Sequence, residues 1–481
     1  MRLFVTIILG ALLLAAAMFV STGTDQWSPR PKVFVFGIDG GSWNVIDPML
    51  ARGELPNLAS LHKRGLRGVL RSRHPALSPV VWTTIFTGHL PPKHGVRNWK
   101  TSHSTHRRVK PLWRITSQAG LETNVFNVPS TWPPEEVNGV MISGFPLAGS
   151  QVGGGTGNVM TLNEIFNSKA AAIYRDNSDV LARAGVQLGV GQWSDWLEVG
   201  LDDHPEWEGR MKVKYLSEGS FYISPFYRTD PGLVISHPPG LARRLRLEQA
   251  YIPEGPGWRR WREDATPSYL YDHLVDVSRI QTSAASMFAA GDWDVFVYVN
   301  TLVDRVSHPY WAYMEPQDYQ GVDRDKAGLY REAVRDAYRE TDRQLGSMLA
   351  KIDPGAHVII VSDHGFQSSP NPDKQIGTHR FDGIYLMAGP RIVAGDGRRL
   401  NIEDIAPSLL YLLGLPVGRD MTGKVSPDLI GFHRRPPARI DSYETVEIEG
   451  SDLPVDESTW EQLRSLGYVS GEAPTGRLSD Q

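Results

Sequence analysis

The chain has 481 residues, with 50 Lys and Arg against 54 Asp and Glu. This near balance leaves no basic stripe for a nucleic-acid partner. Its 41% hydrophobic and 22% charged residues are ordinary globular composition, and the length allows a large core or two to three domains. The absence of cysteine excludes disulfides, thiolate metal sites and a cysteine nucleophile.

In chain order, the first feature is the apolar run from Leu3 to Val20, which follows a short basic start. At about eighteen residues it sits at the lower edge for a spanning helix and is long for a signal-peptide core. Residues 1–24 therefore read as a signal peptide or an N-terminal membrane anchor. The anchor is favoured, because no small-x-small cleavage site follows. Either reading predicts an exported protein, periplasmic or at the cell surface, with membrane contact through this segment if it is retained.

After a Pro-containing linker, Lys32–Asp39 (KVFVFGID) reads as a buried parallel strand, and Leu55–Gly65 as an amphipathic helix with Pro at its start and Gly at its end. ETNVFNVP reads as another strand. From about Gly149 the texture changes. The glycine run GSQVGGGTGN lacks the Lys-Ser/Thr ending of a phosphate loop and reads as plain loop. Residues 149–267, rich in Trp, Tyr, Pro and Gly, read as an inserted cap that sets specificity. Its aromatic residues Trp193, Trp196, Trp207, Tyr222 and Tyr227 read first as packing residues, with stacking on a base or sugar as the alternative.

The strand–helix rhythm returns with a helix over Tyr269–Ala290 and a strand over Trp293–Asp304. A long amphipathic helix over Lys326–Ile352 follows, with Leu329, Val334, Tyr338, Leu345 and Leu349 along one face. His357–Asp363 and IYLMAGP read as strands, and NIEDIAPSLLYLLGLP as a helix. Strands alternating with helices predict an α/β fold with a largely parallel sheet and helices on both faces. Its core covers 30–148 and 268–432, and residues 433–481 form a tail with a short helix near STWEQLRSLGYV.

Placed on this map, Asp39 ends the first strand and Asp304 ends the Trp293 strand, with His308 four residues on. Asp363 and His364 end the His357 strand, and His379 lies in the loop IGTHRFDG. Functional groups gather at the carboxyl ends of strands in open α/β sheets. Three carboxylates and three imidazoles converging there are the donor set of a two-metal site for Zn²⁺, with Mn²⁺ as the alternative. His62, His89, His94, His103, His106 and His357 read as surface or loop histidines.

PALSPVVWTTIFTG (Pro75–Gly88) offers four hydroxyls without a neighbouring His or Asp. Ser78 as N-cap, Pro79 at N1 and Gly88 past the end predict a short helix over Pro79–Phe86. Thr83 and Thr84 are then internal, and bond the carbonyl one turn back or pack. Ser78 alone sits at the helix start, where free N–H groups favour a phosphate.

These stretches resemble the alkaline phosphatase superfamily, most of all its type I phosphodiesterase/nucleotide pyrophosphatase family and the bacterial phosphohydrolase/phosphomutase group within it. FGIDGGSWNVIDPML, GELPNLASL, LSPVVWTTIFTGHLPPKHGV, LVDRVSHPYW, VSDHGF, IGTHR and DIAPSLLYLLGLPVGRDMTGK carry the likeness in order, bracketing Lys32 to Lys424. The resemblance implies one metal on Asp39, Ser78, Asp363 and His364, and a second on Asp304, His308 and His379. It implies Ser78 as the nucleophile of a phosphohydrolase that forms a phosphoserine. In nucleotide pyrophosphatases an Asn shortly after the His-Gly pair contacts the phosphate; Asn98 is the nearest match, one position off. SPVVW lacks the Cys/Ser-x-Pro-x-Arg pattern of sulfatases. The alternatives are a phosphoryl or phospho-headgroup transferase with a lipid or glycan acceptor, or a catalytically silent metal-binding surface protein.

Overall fold

The computed structural model describes residues 31–144 and 267–444 throughout, and shorter stretches between residues 158 and 245. The apolar run Leu3–Val20, the glycine run and the C-terminal helix read from sequence lie outside the described residues. Among the described residues, no helix is long and apolar enough to cross a membrane.

Val33–Ile38 (β1) is buried at every position. Its period-two alternation divides it between two cores. Phe34, Phe36 and Ile38 face one layer, with Ile46, Leu58, Tyr310 and Tyr338. Val33 and Val35 face the other, with Trp82, Phe86, Trp113 and Leu409. A strand this apolar on both faces belongs at the centre of a parallel sheet covered by helices on both sides.

In chain order β1 is followed by the helices Trp43–Ala51 (α1) and Pro56–Arg64 (α2), strand Leu66–Arg71 (β2) and helix Ser78–Thr87 (α3). Strands Thr123–Phe126 (β3), Met141–Ile142 (β4) and Ser236–His237 (β5) come next. After them come helix Pro267–Ala289 (α4), strand Val295–Asn300 (β6), helices Leu302–Met314 (α5), Arg324–Tyr330 (α6) and Ala333–Leu349 (α7), and strand His357–Val361 (β7). The ribbon Gly365–Ser368 (β8) and Gly377–Arg380 (β9), strand Asp382–Ala388 (β10), two short strands Gly395–Asp396 (β11) and Leu400–Asn401 (β12), and helix Ile405–Leu412 (α8) complete the core. The ten-stranded sheet runs β5-β4-β3-β6-β1-β7-β10-β2-β11, with β12 also on β2. β4, β3, β6, β1 and β7 are mutually parallel, whereas β10 is antiparallel to both β7 and β2, and β5 is antiparallel to β4. The expected α/β architecture with a mostly parallel sheet is therefore the observed one.

The order brings β6, β1 and β7 side by side at the centre, in register from Val33 opposite Val295 and His357. Three carboxyl ends separated by about 4.8 Å per strand then share one edge.

Some expected elements differ. Trp293–Asp304 is a strand only to Asn300. Asp304 stands in the first turn of α5, because the chain enters the helix at Leu302. The long helix expected over Lys326–Ile352 is two, divided at Arg331–Glu332. The two pieces pack on different partners: Tyr330 of α6 lies against Tyr310 and Tyr313, while Val334, Tyr338 and Leu345 of α7 enter the sheet core. Leu329 consequently faces solvent. Within 149–267, the described strands Asn158–Thr161, Ser220–Ile223 and Val213–Ser217 form one antiparallel sheet. Leu197–Leu201, His204–Met211 and Tyr227–Arg228 form another. Ser236–His237 (β5), however, pairs with β4, so the central sheet takes back a strand from the stretch read as an insert.

One contact ties the two halves of the core. α2 begins without a capping side chain of its own. Asp342 of α7 supplies the cap instead: Oδ1 accepts from Leu58 N (2.8 Å), and Oδ2 from Asn57 N (3.1 Å) and Asn57 Nδ2 (2.9 Å). Asp342→Ala leaves the helix-start N–H groups without acceptors, and is expected to cost about 2 kcal/mol in urea denaturation. Unchanged stability would show that water replaces the carboxylate.

Candidate active site

β1 delivers Asp39 to the sheet edge, fully buried, directly after Ile38. Its N–H donates to Asn300 O of the neighbouring β6 (2.9 Å). Tyr338 fixes the turn that follows: its hydroxyl donates to Gly40 O (3.3 Å) and accepts from Ser42 N (3.1 Å). β7 delivers Asp363 and His364, both with no exposure. On α5, Asp304 and His308 are four residues apart and so share one helix face. His379 is not in a loop, as expected, but in β9, directly opposite Phe366 of β8. The four-residue ribbon strands are too short to leave a readable period. Their pairing folds His379 back over His364, with ring centroids 3.6 Å apart.

The donor atoms form two groups, Asp39 with Asp363 and His364, and Asp304 with His308 and His379; within each group all lie within 4.8 Å of one another. His364 Nε2 is 3.3 Å from Asp363 Oδ2 and 3.6 Å from Asp39 Oδ1. His379 Nε2 is 3.3 Å, and His308 Nε2 3.5 Å, from Asp304 Oδ1. His364 Nε2 also lies 3.8 Å from Asp304 Oδ1, so the two groups adjoin.

The chemistry of these donors fits divalent cations. Each imidazole turns Nδ1 to a backbone carbonyl: His364 to Gly365 O (3.2 Å), His308 to Gly377 O (3.2 Å) and His379 to Ala76 O (2.6 Å). Nδ1 carries the proton in each, which leaves the Nε2 lone pair for the centre. The carboxylates are similarly divided. Asp363 Oδ1 accepts from Gly40 N (3.2 Å) and His364 N (3.0 Å), while Oδ2 has no hydrogen-bond partner. Asp304 Oδ1 and His364 Nε2 are also buried without hydrogen-bond partners. Orphaned buried polar atoms are costly in an apolar interior, and three around one centre call for a cation.

Electrostatics agrees. Burial, then the Asp363 and Asp304 carboxylates, push Asp39 well above the usual carboxylate range. Burial, then Asp304, do the same to Asp363. Burial also opposes ionisation of Asp304, but His308 and His379 in their protonated forms outweigh it and hold its pKa well down. Burial, then His379, keep His364 neutral, the ligand form. Among the described residues no Lys or Arg forms an ion pair with any of the three carboxylates.

Ser78 stands beside the first group. It is not the N-cap that the sequence suggests. Leu77 takes that place, with extended backbone, and Ser78 is the first helical residue. Its hydroxyl is drawn to the Asp39 carboxylate, with Oγ 3.5 Å from Oδ1, instead of capping its own helix. The other hydroxyls are structural: Thr83 donates to Pro79 O (2.7 Å), Thr84 to Val80 O (3.0 Å) and Thr87 to Thr83 O (2.7 Å). Gly88, at φ +69°, ends the helix in the left-handed conformation expected of it. Asn98 spends its side-chain oxygen locally, accepting from Thr101 N (3.2 Å).

Of the histidines read as surface or loop residues, His62 and His103 are half-buried. His89, His94, His106 and His357 are buried. The β-strand and short-helix packing that encloses them has no sequence period. His94 Nδ1 accepts from Val96 N (3.1 Å), and burial lowers its pKa to about 3. None of the six belongs to either donor group. The residue that sequence reasoning missed is Trp82, whose Nε1–H donates to Asp39 Oδ2 (3.0 Å). Its only sequence signal is its spacing, four residues after Ser78 on the same helix.

Residues 33–389, most of the sheet and every donor named above, match the type I phosphodiesterase / nucleotide pyrophosphatase family. The chain belongs to this family. Membership places it in the alkaline phosphatase superfamily. Curated relatives include the 2,3-bisphosphoglycerate-independent phosphoglycerate mutases of Synechococcus sp. (strain JA-2-3B'a(2-13)), 32% identical over 109 residues, and of Synechococcus sp. (strain JA-3-3Ab), 26% identical over 168 residues. The first match spans 20% of each chain; the second spans 32% of this chain and 28% of the relative. Among solved structures, a putative sulfatase from Bacteroides thetaiotaomicron VPI-5482 aligns at TM-score 0.42 and 11% identity, over 84% of this chain and 75% of that one. The phosphonoacetate hydrolase from Sinorhizobium meliloti 1021 aligns at TM-score 0.34 and 12% identity, over 70% of this chain and 57% of that one.

Proposed function

We propose that this family member is a two-metal phosphodiesterase that hydrolyses phosphate esters with Ser78 as nucleophile. The observation that carries the reading is the arrangement of a serine hydroxyl 3.5 Å from Asp39 Oδ1, beside two Asp/His groups with three orphaned donor atoms. Asp39, Asp363, His364 and Ser78 would hold one cation, and Asp304, His308 and His379 the other; Zn²⁺ suits this mixed N/O set, with Mn²⁺ as the alternative. Bound cations supply charge neutralisation at the phosphate oxygens and a lowered pKa for a coordinated hydroxyl.

The chain's own part is positioning. The start of α3 aims Ser78 Oγ at the incoming phosphate, while the Val80 and Val81 N–H groups donate to Leu77 O (both 2.9 Å). Ser78 Oγ bonds to phosphorus as the bond to the leaving alcohol breaks, and the Ser78 hydroxyl proton passes to that alcohol oxygen. Water then bonds to phosphorus as the Ser78 Oγ–P bond breaks, and one water proton restores the Ser78 hydroxyl as the second product leaves. Nδ1 anchoring to backbone carbonyls keeps each imidazole aimed. The apolar run Leu3–Val20 supports action outside the cytoplasm.

Bis(p-nitrophenyl) phosphate is expected to be cleaved by the protein loaded with Zn²⁺ or Mn²⁺, faster than p-nitrophenyl phosphate. No turnover of either with any divalent metal would sink the reading. The short stretches shared with phosphoglycerate mutases favour a second reading, transfer from a phosphoserine to an organic hydroxyl. Product analysis with and without glycerol distinguishes them, since hydrolysis alone gives no glycerol phosphate.

A further inference from the structure

The hydrogen bond from Trp82 to Asp39 crosses from one side of the site to the other. Trp82 lies one helical turn beyond Ser78, so both side chains project from the same face of α3. That face meets a single carboxylate. Ser78 Oγ approaches Oδ1 at 3.5 Å, and the Trp82 indole N–H takes Oδ2 at 3.0 Å. The indole is fully buried and stacked on Phe86 (ring centroids 5.9 Å apart), so it has one available orientation.

β1 is built to receive it. A Cβ at Gly37, two residues before Asp39, would lie 2.6 Å from Trp82 Cη2 and 2.9 Å from Val299 Cγ2. Only a glycine leaves room for the indole to lie across the strand at that point. The consequence falls on Asp39. With Oδ2 accepting the indole N–H, the carboxylate is held in one orientation, and Oδ1 is the oxygen turned towards Ser78 Oγ and His364 Nε2.

We propose that Trp82 is a positioning residue for the metal and nucleophile centre: its indole N–H locks Asp39 as a one-oxygen donor shared with Ser78. This inference rests on the two-metal reading above. It assigns to α3 a second task besides carrying the nucleophile, because one rigid helix sets both Ser78 and the carboxylate beside it. Outer partners of metal ligands typically change metal affinity by about 10–100-fold when removed.

The test is Mn²⁺ titration, followed by electron paramagnetic resonance, of metal-stripped wild-type protein and Trp82→Phe. The variant keeps an aromatic ring but loses the N–H. One of its two Mn²⁺ sites is expected to weaken at least about tenfold while the other keeps its affinity. Its metal-free thermal midpoint should stay within a few degrees of wild type. Gly37→Ala, which displaces the indole without touching a donor atom, is expected to weaken the same site, and serves if the first variant folds poorly. Two sites of unchanged affinity in a folded variant, or equal weakening of both, would overturn the proposal while leaving the two-metal reading intact. A wild-type protein that binds no Mn²⁺ or Zn²⁺ would overturn both.

Discussion

Ser78→Ala is expected to lower phosphodiester hydrolysis by at least about a thousandfold while the protein retains two metal ions per chain. The size follows from the role. A nucleophile that forms the covalent intermediate cannot be replaced by the residues around it, and only substrate binding and charge neutralisation would remain. Metal retention follows from the geometry, since Asp39, Asp363 and His364 form their group without the hydroxyl. The neighbouring hydroxyls cannot take over: those of Thr83, Thr84 and Thr87 are committed to carbonyls one turn back. Elemental analysis and turnover of bis(p-nitrophenyl) phosphate, measured on the same sample, decide the matter. Wild-type rates at full metal content would mean that water attacks phosphorus directly.

Removal of metal is expected to have the other large effect. Dialysis against a chelator should abolish activity and lower the thermal midpoint, and Zn²⁺ or Mn²⁺ should restore both. Asp39 and Asp363 are buried beside one another with no Lys or Arg paired to them among the described residues, and a bound cation would make three carboxylates tolerable there. An ion that binds only the folded chain stabilises it by about 4 kcal/mol when its free concentration is a thousand times its Kd. Two such sites are a large fraction of the ordinary 5–15 kcal/mol stability of a domain. A chelated protein with an unchanged melting curve and unchanged activity would remove cations from the account. His89 and His94 are not expected to compensate as ligands, as both lie outside the donor groups.

Of the six residues that come together in the two groups, all but His379 belong to a simple local pattern. Asp39 and Asp363 end short apolar runs, and Asp304 and His308 keep a four-residue spacing that serves a helix face as well as a strand end. Proline and glycine at fixed offsets marked the helix of Ser78. The errors have a common origin. Trp293–Asp304 reads as continuous strand because periodicity cannot separate a buried strand from the apolar first turn of a helix. His379 reads as loop because a four-residue ribbon strand has no period to detect. The split between α6 and α7 depends on which aromatic side chains each piece meets.

From the amino-acid order alone came the fold class, the strand-end carboxylates Asp39 and Asp363 and a single serine at a helix start, because alternation and capping are local rules. The tertiary structure decided the grouping of the donors into two sets, the return of His379, the turning of Ser78 from its own helix towards Asp39, and the grip of Trp82 on the second Asp39 oxygen. The Ser78 and Trp82 contacts to Asp39 span 39 and 43 positions, and His379 meets His308 across 71. Local periodicity reports which face of an element is buried. It carries no information about which distant side chain that face meets, or which of two carboxylate oxygens is left for a cation.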